Sequence, residues 1–198
     1  MNNKTRKWGK ENQKVLYAFI FISNSIWLYF QDSSVSKFVV LLLFSTVLLL
    51  GAAIDKQYYI LPDEGAILLT IGGCVMSYYE GKHMLVLIGG AFGIMLLCLI
   101  IRVVSSDGLG WGDIKWFGAL ACWQSIPGLW IMFTTSFVVG CIYLLFINSS
   151  YSRTDKIPFG PFLCFSGWFS YFFTPHVIRW YVWMNVNLQD IISNRGLF

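Results

Sequence analysis

Apolar residues in this chain fall in long uninterrupted runs with polar residues gathered between them, the pattern of a series of spans joined by short connectors. Four runs are long: Val15 to Phe30, Phe38 to Ile54, Met84 to Val104 and Leu129 to Ile147. Three more, Ala66 to Tyr79, Trp116 to Ile126 and Phe159 to Phe173, are short or interrupted by glycine. A helix needs about 20 apolar residues to cross a hydrocarbon core of about 30 Å. The short runs therefore predict helices buried among the others, because lipid does not tolerate irregular ends. The expected fold is all-α, a polytopic membrane helix bundle of about seven transmembrane helices in one domain. Residues 1–14 form a basic leading segment, 15–173 the membrane-embedded body, and 174–198 a tail. In that tail Trp180, Tyr181 and Trp183 alternate with polar residues, which predicts a helix lying at the outer interface.

Composition agrees with this pattern: of 198 residues 57% are hydrophobic and only 12% charged, more apolar than a soluble domain of this length. The basic cluster Lys4, Arg6, Lys7 and Lys10 before the first run resembles the start of a signal peptide. That run is nevertheless long and aromatic and ends in QDSSVSK without a small-x-small cleavage site, so retention is expected. With the N-terminus cytoplasmic, ten of the fourteen basic residues fall inside, among them Lys56, Arg102, Lys115, Arg153 and Lys156. Lys37, Lys82, Arg179 and Arg195 fall outside. The same bias requires Trp116 to Ile126 to cross, since otherwise Arg153 and Lys156 would lie outside. The net charge of +4 thus reads as an insertion signal, with the lipid bilayer as partner and no nucleic acid.

The five cysteines, Cys74, Cys98, Cys122, Cys141 and Cys164, stand singly within apolar runs without C-x-x-C spacing, which indicates neither a zinc site nor a disulfide framework. His83 sits in an outside loop and His176 in the tail, so they form no cluster, and no metal is expected. Hydrolytic chemistry then falls to carboxylates. Asp55, Asp63, Glu64, Asp107 and Asp113 lie toward the cytoplasmic side, and two are distinctive in placement. Asp55 follows VLLLGAAI at the inner end of one span, and Asp113 stands just before the next inside-to-outside helix, so both face the same membrane boundary. Either acid could simply cap a helix or pair with Lys56 or Lys115. Brought together, however, two carboxylates cannot both ionise easily, so one keeps a proton while the other stays charged. Such a pair activates water and protonates the carbonyl oxygen and leaving amine, which is aspartyl protease chemistry without cofactor or covalent intermediate. In Gly110-Trp111-Gly112-Asp113, the glycines remove side chains beside the acid, so a peptide backbone can approach. A dinucleotide loop is excluded by the missing third glycine spacing and by the lack of a βαβ unit.

At these residues the sequence resembles the type IV prepilin peptidases, polytopic aspartyl proteases of the G-x-G-D kind. AAIDKQYYILPDE is similar to the family's I-D-x-x-x-x-x-L-P-D, GLGWGDIKWFGALACW to its G-x-G-D-x-K, and KIPFGPFLCFSGW to its I-P-F-G-P-F-L. The resemblance, covering roughly residues 38 to 170, implies Asp55 and Asp113 as catalytic acids, with Gly110, Gly112 and Lys115 supporting them. It implies a helical bundle whose site opens to the cytoplasmic face of a bacterial inner membrane. It also implies a substrate, a prepilin or pseudopilin with a short basic leader, a glycine at the cleavage point and a hydrophobic N-terminal helix in the bilayer. Larger members carry a leading helix and a cytoplasmic domain with two C-x-x-C pairs, and are credited with N-methylation using S-adenosylmethionine. Since MNNKTRKWGKENQK contains neither, the expectation is cleavage without methyl transfer. For the IPFGPFL block, simple helix-start chemistry and a direct role in shaping the site both fit. Two other readings are an ion-coupled transporter or channel component, with helices broken near Gly72-Gly73 and Gly89-Gly90, and an assembly scaffold without catalysis.

Overall fold

The computed structural model describes residues 22–26, 35–106, 108–146 and 157–194, and every regular element among them is a helix. Residues 22–26 form α1, inside the first apolar run. There follow α2 (Val35–Tyr58), α3 (Asp63–Tyr79), α4 (Met84–Val104), α5 (Trp111–Ala121), α6 (Ile126–Phe146) and α7 (Gly160–Asn194). The basic leading segment and the loop bearing Arg153 and Lys156 lie outside the described residues, as does Asp107.

Three of the described helices, α2, α4 and α6, are long and apolar enough to cross a membrane. Large side chains such as Leu85, Phe92 and Leu145 stay uncovered on them, as a surface turned to lipid requires. The helix α5 differs. Its 11 residues rise about 16 Å at 1.5 Å each, about half the hydrocarbon core, and everything from Trp116 to Ala121 is buried. The expected span to Ile126 therefore ends early as helix. Cys122, Trp123 and Gln124 turn back, their N–H groups donating to the carbonyls of Ala119, Leu120 and Ala121 at 3.3, 3.0 and 3.1 Å. The next helix starts at Ile126 instead of Leu129, with Pro127 in its first turn, where its missing N–H costs nothing.

Helix contacts close a ring in the order α2, α3, α5, α4, α6, α7 and back to α2, with α5 also reaching α7. In a bilayer the surrounding tails are as apolar as the side chains, so helices associate through close packing and interhelical hydrogen bonds. Trp116 shows how. Its side chain is fully buried, and a Cβ on Gly51 of α2 would stand 2.7 Å from its Cζ3 while one on Gly65 of α3 would stand 2.6 Å from its Cζ2. The ring occupies a slot that two glycines leave between two helices. Its indole N–H donates to the carbonyl of Pro62 at 3.0 Å. Seven residues later Trp123 repeats the arrangement: it packs against Gly72 and Gly73 and donates to the carbonyl of Leu69 at 2.7 Å. Donors and acceptors advance by the same step, so α3 and α5 run in the same direction, as alternating spans require. The glycine pairs at 72–73 and 89–90 break neither α3 nor α4, contrary to the expectation for a transporter; the first makes room for an indole.

At the end of the bundle away from Asp55, Phe44 stacks on Trp123 at 4.1 Å and Tyr171 meets that indole edge-on at 5.9 Å. Lys82 there pairs with Glu80 at 2.6 Å, and the Tyr171 hydroxyl donates to Glu80 at 2.8 Å. Beyond it α7 continues through Pro175 to Asn194 as one helix, so the tail from residue 174 prolongs the helix that begins at Gly160, with Trp180, Tyr181 and Trp183 exposed.

The slot for Trp116 generates a stability prediction. Gly65→Ala should cost about 1 to 3 kcal/mol, the range for an overpacked core, because its methyl meets the indole at 2.6 Å. Gly89→Ala, with nothing within 4 Å of the added carbon, should be tolerated. Thermal unfolding in detergent compares the two, and equal midpoints would show that the slot is loose.

Candidate active site

Three segments meet at one end of the bundle: the α2–α3 connection, the start of α5 and the start of α7. The first is shaped by helix-end chemistry. Tyr59, at φ 58°, takes the left-handed conformation that ends α2, and its N–H donates to the carbonyl of Asp55 at 2.8 Å. Pro62 is extended and stands just before α3, whose first turn carries Asp63 and Glu64, charges that suit a helix N-terminus.

Leu61, Pro62 and Asp63 each engage α5. Gly112 lies so close to Leu61 that an added Cβ would stand 3.3 Å from the leucine Cβ, so this glycine lets the connection lie against the G-x-G-D loop. Pro62 accepts the Trp116 indole bond. Both oxygens of Asp63 accept from the Lys115 ammonium at 2.8 and 2.7 Å. Lys115 thus pairs with Asp63, leaving Asp113 for other partners. The loop before α5 is held from the other side by Arg102, which donates to the carbonyl of Leu109 and lies over the Trp111 ring at 4.9 Å.

Asp55 sits in the last turns of α2 and is 5% exposed. Its Oδ2 accepts the N–H of Gly160, the first residue of α7, at 2.7 Å. A Cβ on Gly160 would lie 2.7 to 2.8 Å from the carboxyl atoms of Asp55, so no larger residue fits without displacing them. The IPFGPFL block therefore shapes the site as well as starting a helix, acting through the backbone of Gly160. Asp113, the third residue of α5, accepts the N–H of Gly110 at 3.1 Å, the reach-back bond of a capping box. The two carboxylates, carried by different helices, are close enough for the charge of Asp55 to act on Asp113. Such a pair can share a proton. Among the described residues, no three His, Cys, Asp or Glu side chains gather as metal ligands.

All five residues singled out from sequence, Asp55, Gly110, Gly112, Asp113 and Lys115, lie in this region. Sequence reasoning did not single out Gly160 and Trp116, although both stand within quoted motifs, and it counted Arg102 only as an inside charge. A cation in the last turn of an otherwise apolar helix such as α4 was the available signal for Arg102.

Residues 41–145 match the type IV leader peptidase family. The chain is 30% identical over 149 residues to the prepilin leader peptidase/N-methyltransferase of Aeromonas salmonicida, covering 71% of this chain and 51% of that protein. It is 28% identical over 151 residues to the protein of the same name from Pseudomonas aeruginosa, covering 72% and 52%. Over a shorter stretch of 82 residues, 38% of this chain and 28% of the relative, identity to the Legionella pneumophila protein of that name is 40%. The chain spans about half the length of the first two relatives. No solved structure matches it.

The Gly160 contact makes a prediction independent of activity. Gly160→Ala and Asp55→Ala should each lower the unfolding midpoint, the first by collision and the second by orphaning a buried N–H. In the double variant the new methyl enters the space the carboxyl has left, so its loss should fall short of the sum by at least about 0.5 kcal/mol, the size of coupling that contacting residues show. Additive losses would mean that the two residues do not touch.

Proposed function

The chain belongs to the type IV leader peptidase family, and from that premise we propose that it is a membrane aspartyl endopeptidase whose catalytic pair is Asp55 and Asp113. Its substrates are prepilins or pseudopilins, from which it removes the short basic leader at the cytoplasmic face of a bacterial inner membrane. The observation that carries this reading is that two carboxylates, one from the last turns of α2 and one from the first turn of α5, lie at the end of the bundle where the α2–α3 connection packs on the start of α5. Placement of the N-terminus in the cytoplasm is supported by the Lys and Arg distribution.

In this mechanism the ionised carboxylate takes a proton from water as the water oxygen adds to the scissile carbonyl carbon. The protonated partner donates to the carbonyl oxygen. Collapse of the tetrahedral intermediate breaks the C–N bond, and a proton passes to the leaving amine, so one water is consumed per bond cleaved. The Gly160 N–H holds one oxygen of Asp55, which leaves the other for water. Gly110 leaves room for the Asp113 carboxylate, 2.8 Å from where its Cβ would stand, and Gly112 leaves room for Leu61. Lys115, clamped to Asp63, fixes the start of α5 and so the position of Asp113.

Cleavage of a full-length prepilin in lipid, with abundance checked by blot, tests the assignment. Asp55→Asn and Asp113→Asn should each abolish cleavage, since an amide cannot exchange the proton, and the double variant should be no worse than either single. Asp63→Asn should keep measurable activity, because an exposed ion pair is worth about 1 kcal/mol or less. An active Asp113→Asn enzyme would overturn the site.

The wild-type pH profile should be bell-shaped. At low pH both carboxyls are protonated and the base is lost; at high pH both are charged and the acid is lost. Because the pair alone activates water in this mechanism, chelators should leave the rate unchanged.

A further inference from the structure

The connection from α4 to α5 is tied to the end of α4 at two points. The Ser105 hydroxyl donates to the carbonyl of Arg102 at 3.3 Å and accepts the N–H of Gly108 at 3.2 Å. One residue on, the Arg102 guanidinium donates to the carbonyl of Leu109 while lying over the Trp111 ring. Leu109 itself is buried, so this second tether grips a segment already seated in the core.

The second tether also leads to an acid. The carbonyl of Leu109 and the N–H of Gly110 belong to one peptide unit, and that N–H donates to Oδ2 of Asp113 at 3.1 Å. In a trans peptide the two groups point in opposite directions. A guanidinium therefore stands at the oxygen end of this unit and a carboxylate at its hydrogen end, each facing the pole of the peptide dipole that attracts it. Hydrogen bonds joined in such a chain polarise one another, and a guanidinium is not deprotonated in a protein. The other titratable side chains around Asp113 are Asp55 from α2, the buried thiols of Cys98 on α4 and Cys164 on α7, and the Lys115–Asp63 pair of α5 and α3. Lys115 points its ammonium at Asp63, so of these two cations Arg102 is the one joined to Asp113 through a single peptide.

We propose that Arg102 is a positioning residue for Asp113: through the Leu109–Gly110 peptide it fixes the N–H that Asp113 accepts and stabilises the charged form of that carboxylate. This rests on the proteolytic reading above. It gives α4, which contributes no acid to the pair, a part in setting the protonation of the site.

The test is the pH profile of full-length prepilin cleavage in lipid. Arg102→Gln keeps an N–H donor and removes the charge. Two hydrogen bonds and a peptide put guanidinium and carboxylate about 8 Å apart, where a unit charge moves a titration by about 0.4 to 1.5 pH units for effective dielectrics from that of water down to about 20. Loss of the cation favours the protonated carboxyl, so one limb of the bell should move to higher pH by that amount. A moving acid limb makes Asp113 the base; a moving alkaline limb makes it the acid. Arg102→Lys, which keeps the charge, should leave both limbs at their wild-type positions whatever its rate. Ser105→Ala removes the other tether and no charge, and should lower the unfolding midpoint without moving either limb. An unmoved profile in an active Arg102→Gln enzyme, or the same upward shift in Arg102→Lys or Ser105→Ala, would overturn the role of Arg102 and leave the protease reading standing. A wild-type chain that cleaves no prepilin would overturn both. Should Arg102→Gln fail to insert, the neutral Arg102→Met takes its place, with the same shift expected and an unmoved profile again overturning the proposal.

Discussion

The burial of one indole between two glycines organises this molecule. In a bilayer no hydrophobic force selects one apolar surface over another, so specificity must come from shape and from hydrogen bonds. Trp116 supplies both. Its ring fills the slot left by Gly51 and Gly65, which joins α5 to α2 and α3 at once, and its N–H takes up the carbonyl of Pro62. Because Pro62 stands in the connection that follows Asp55 on α2, and Trp116 lies three residues after Asp113 on α5, that contact ties the two acid-bearing helices together.

Around this anchor the candidate site is held largely by backbone groups and exposed charges. Asp55, buried at the membrane boundary, is given a main-chain N–H from the start of α7, where the helix dipole adds a favourable field. Asp113 is given one from its own N-cap. The Lys115–Asp63 pair lies outside this layer and is half exposed; it ties the first turns of α3 and α5 together more than it contributes energy. A carboxylate near lipid needs such partners, and both acids obtain one from a main-chain N–H.

Much of this was legible in the chain. Long apolar runs marked α2, α4 and α6, and two acids at matching run ends marked the candidate site. The order of helices around the ring was not, for a physical reason. In a soluble protein the polar stripe of a helix reveals its outer face, but here lipid-facing Phe92 and core-facing Ile94 are equally apolar, so periodicity carries little information about which face meets which neighbour. The Gly160 bond was illegible because backbone donors are common to every residue type except proline. The early end of α5 was illegible because Cys122, Trp123 and Gln124 contain no residue that stops a helix; the tertiary bond from Trp123 to Leu69 accompanies the turn there.

The matched seven-residue step of Trp116 and Trp123 against Pro62 and Leu69 constrains how such a sequence can change length. One residue inserted into α3 between the two acceptors would rotate everything after it by about 100° and carry Leu69 away from its indole. A deletion in α5 between the two tryptophans would do the same from the other side. An insertion or deletion between Pro62 and Leu69, or between Trp116 and Trp123, therefore breaks the match unless the other segment changes by the same count, so α3 and α5 are coupled in length.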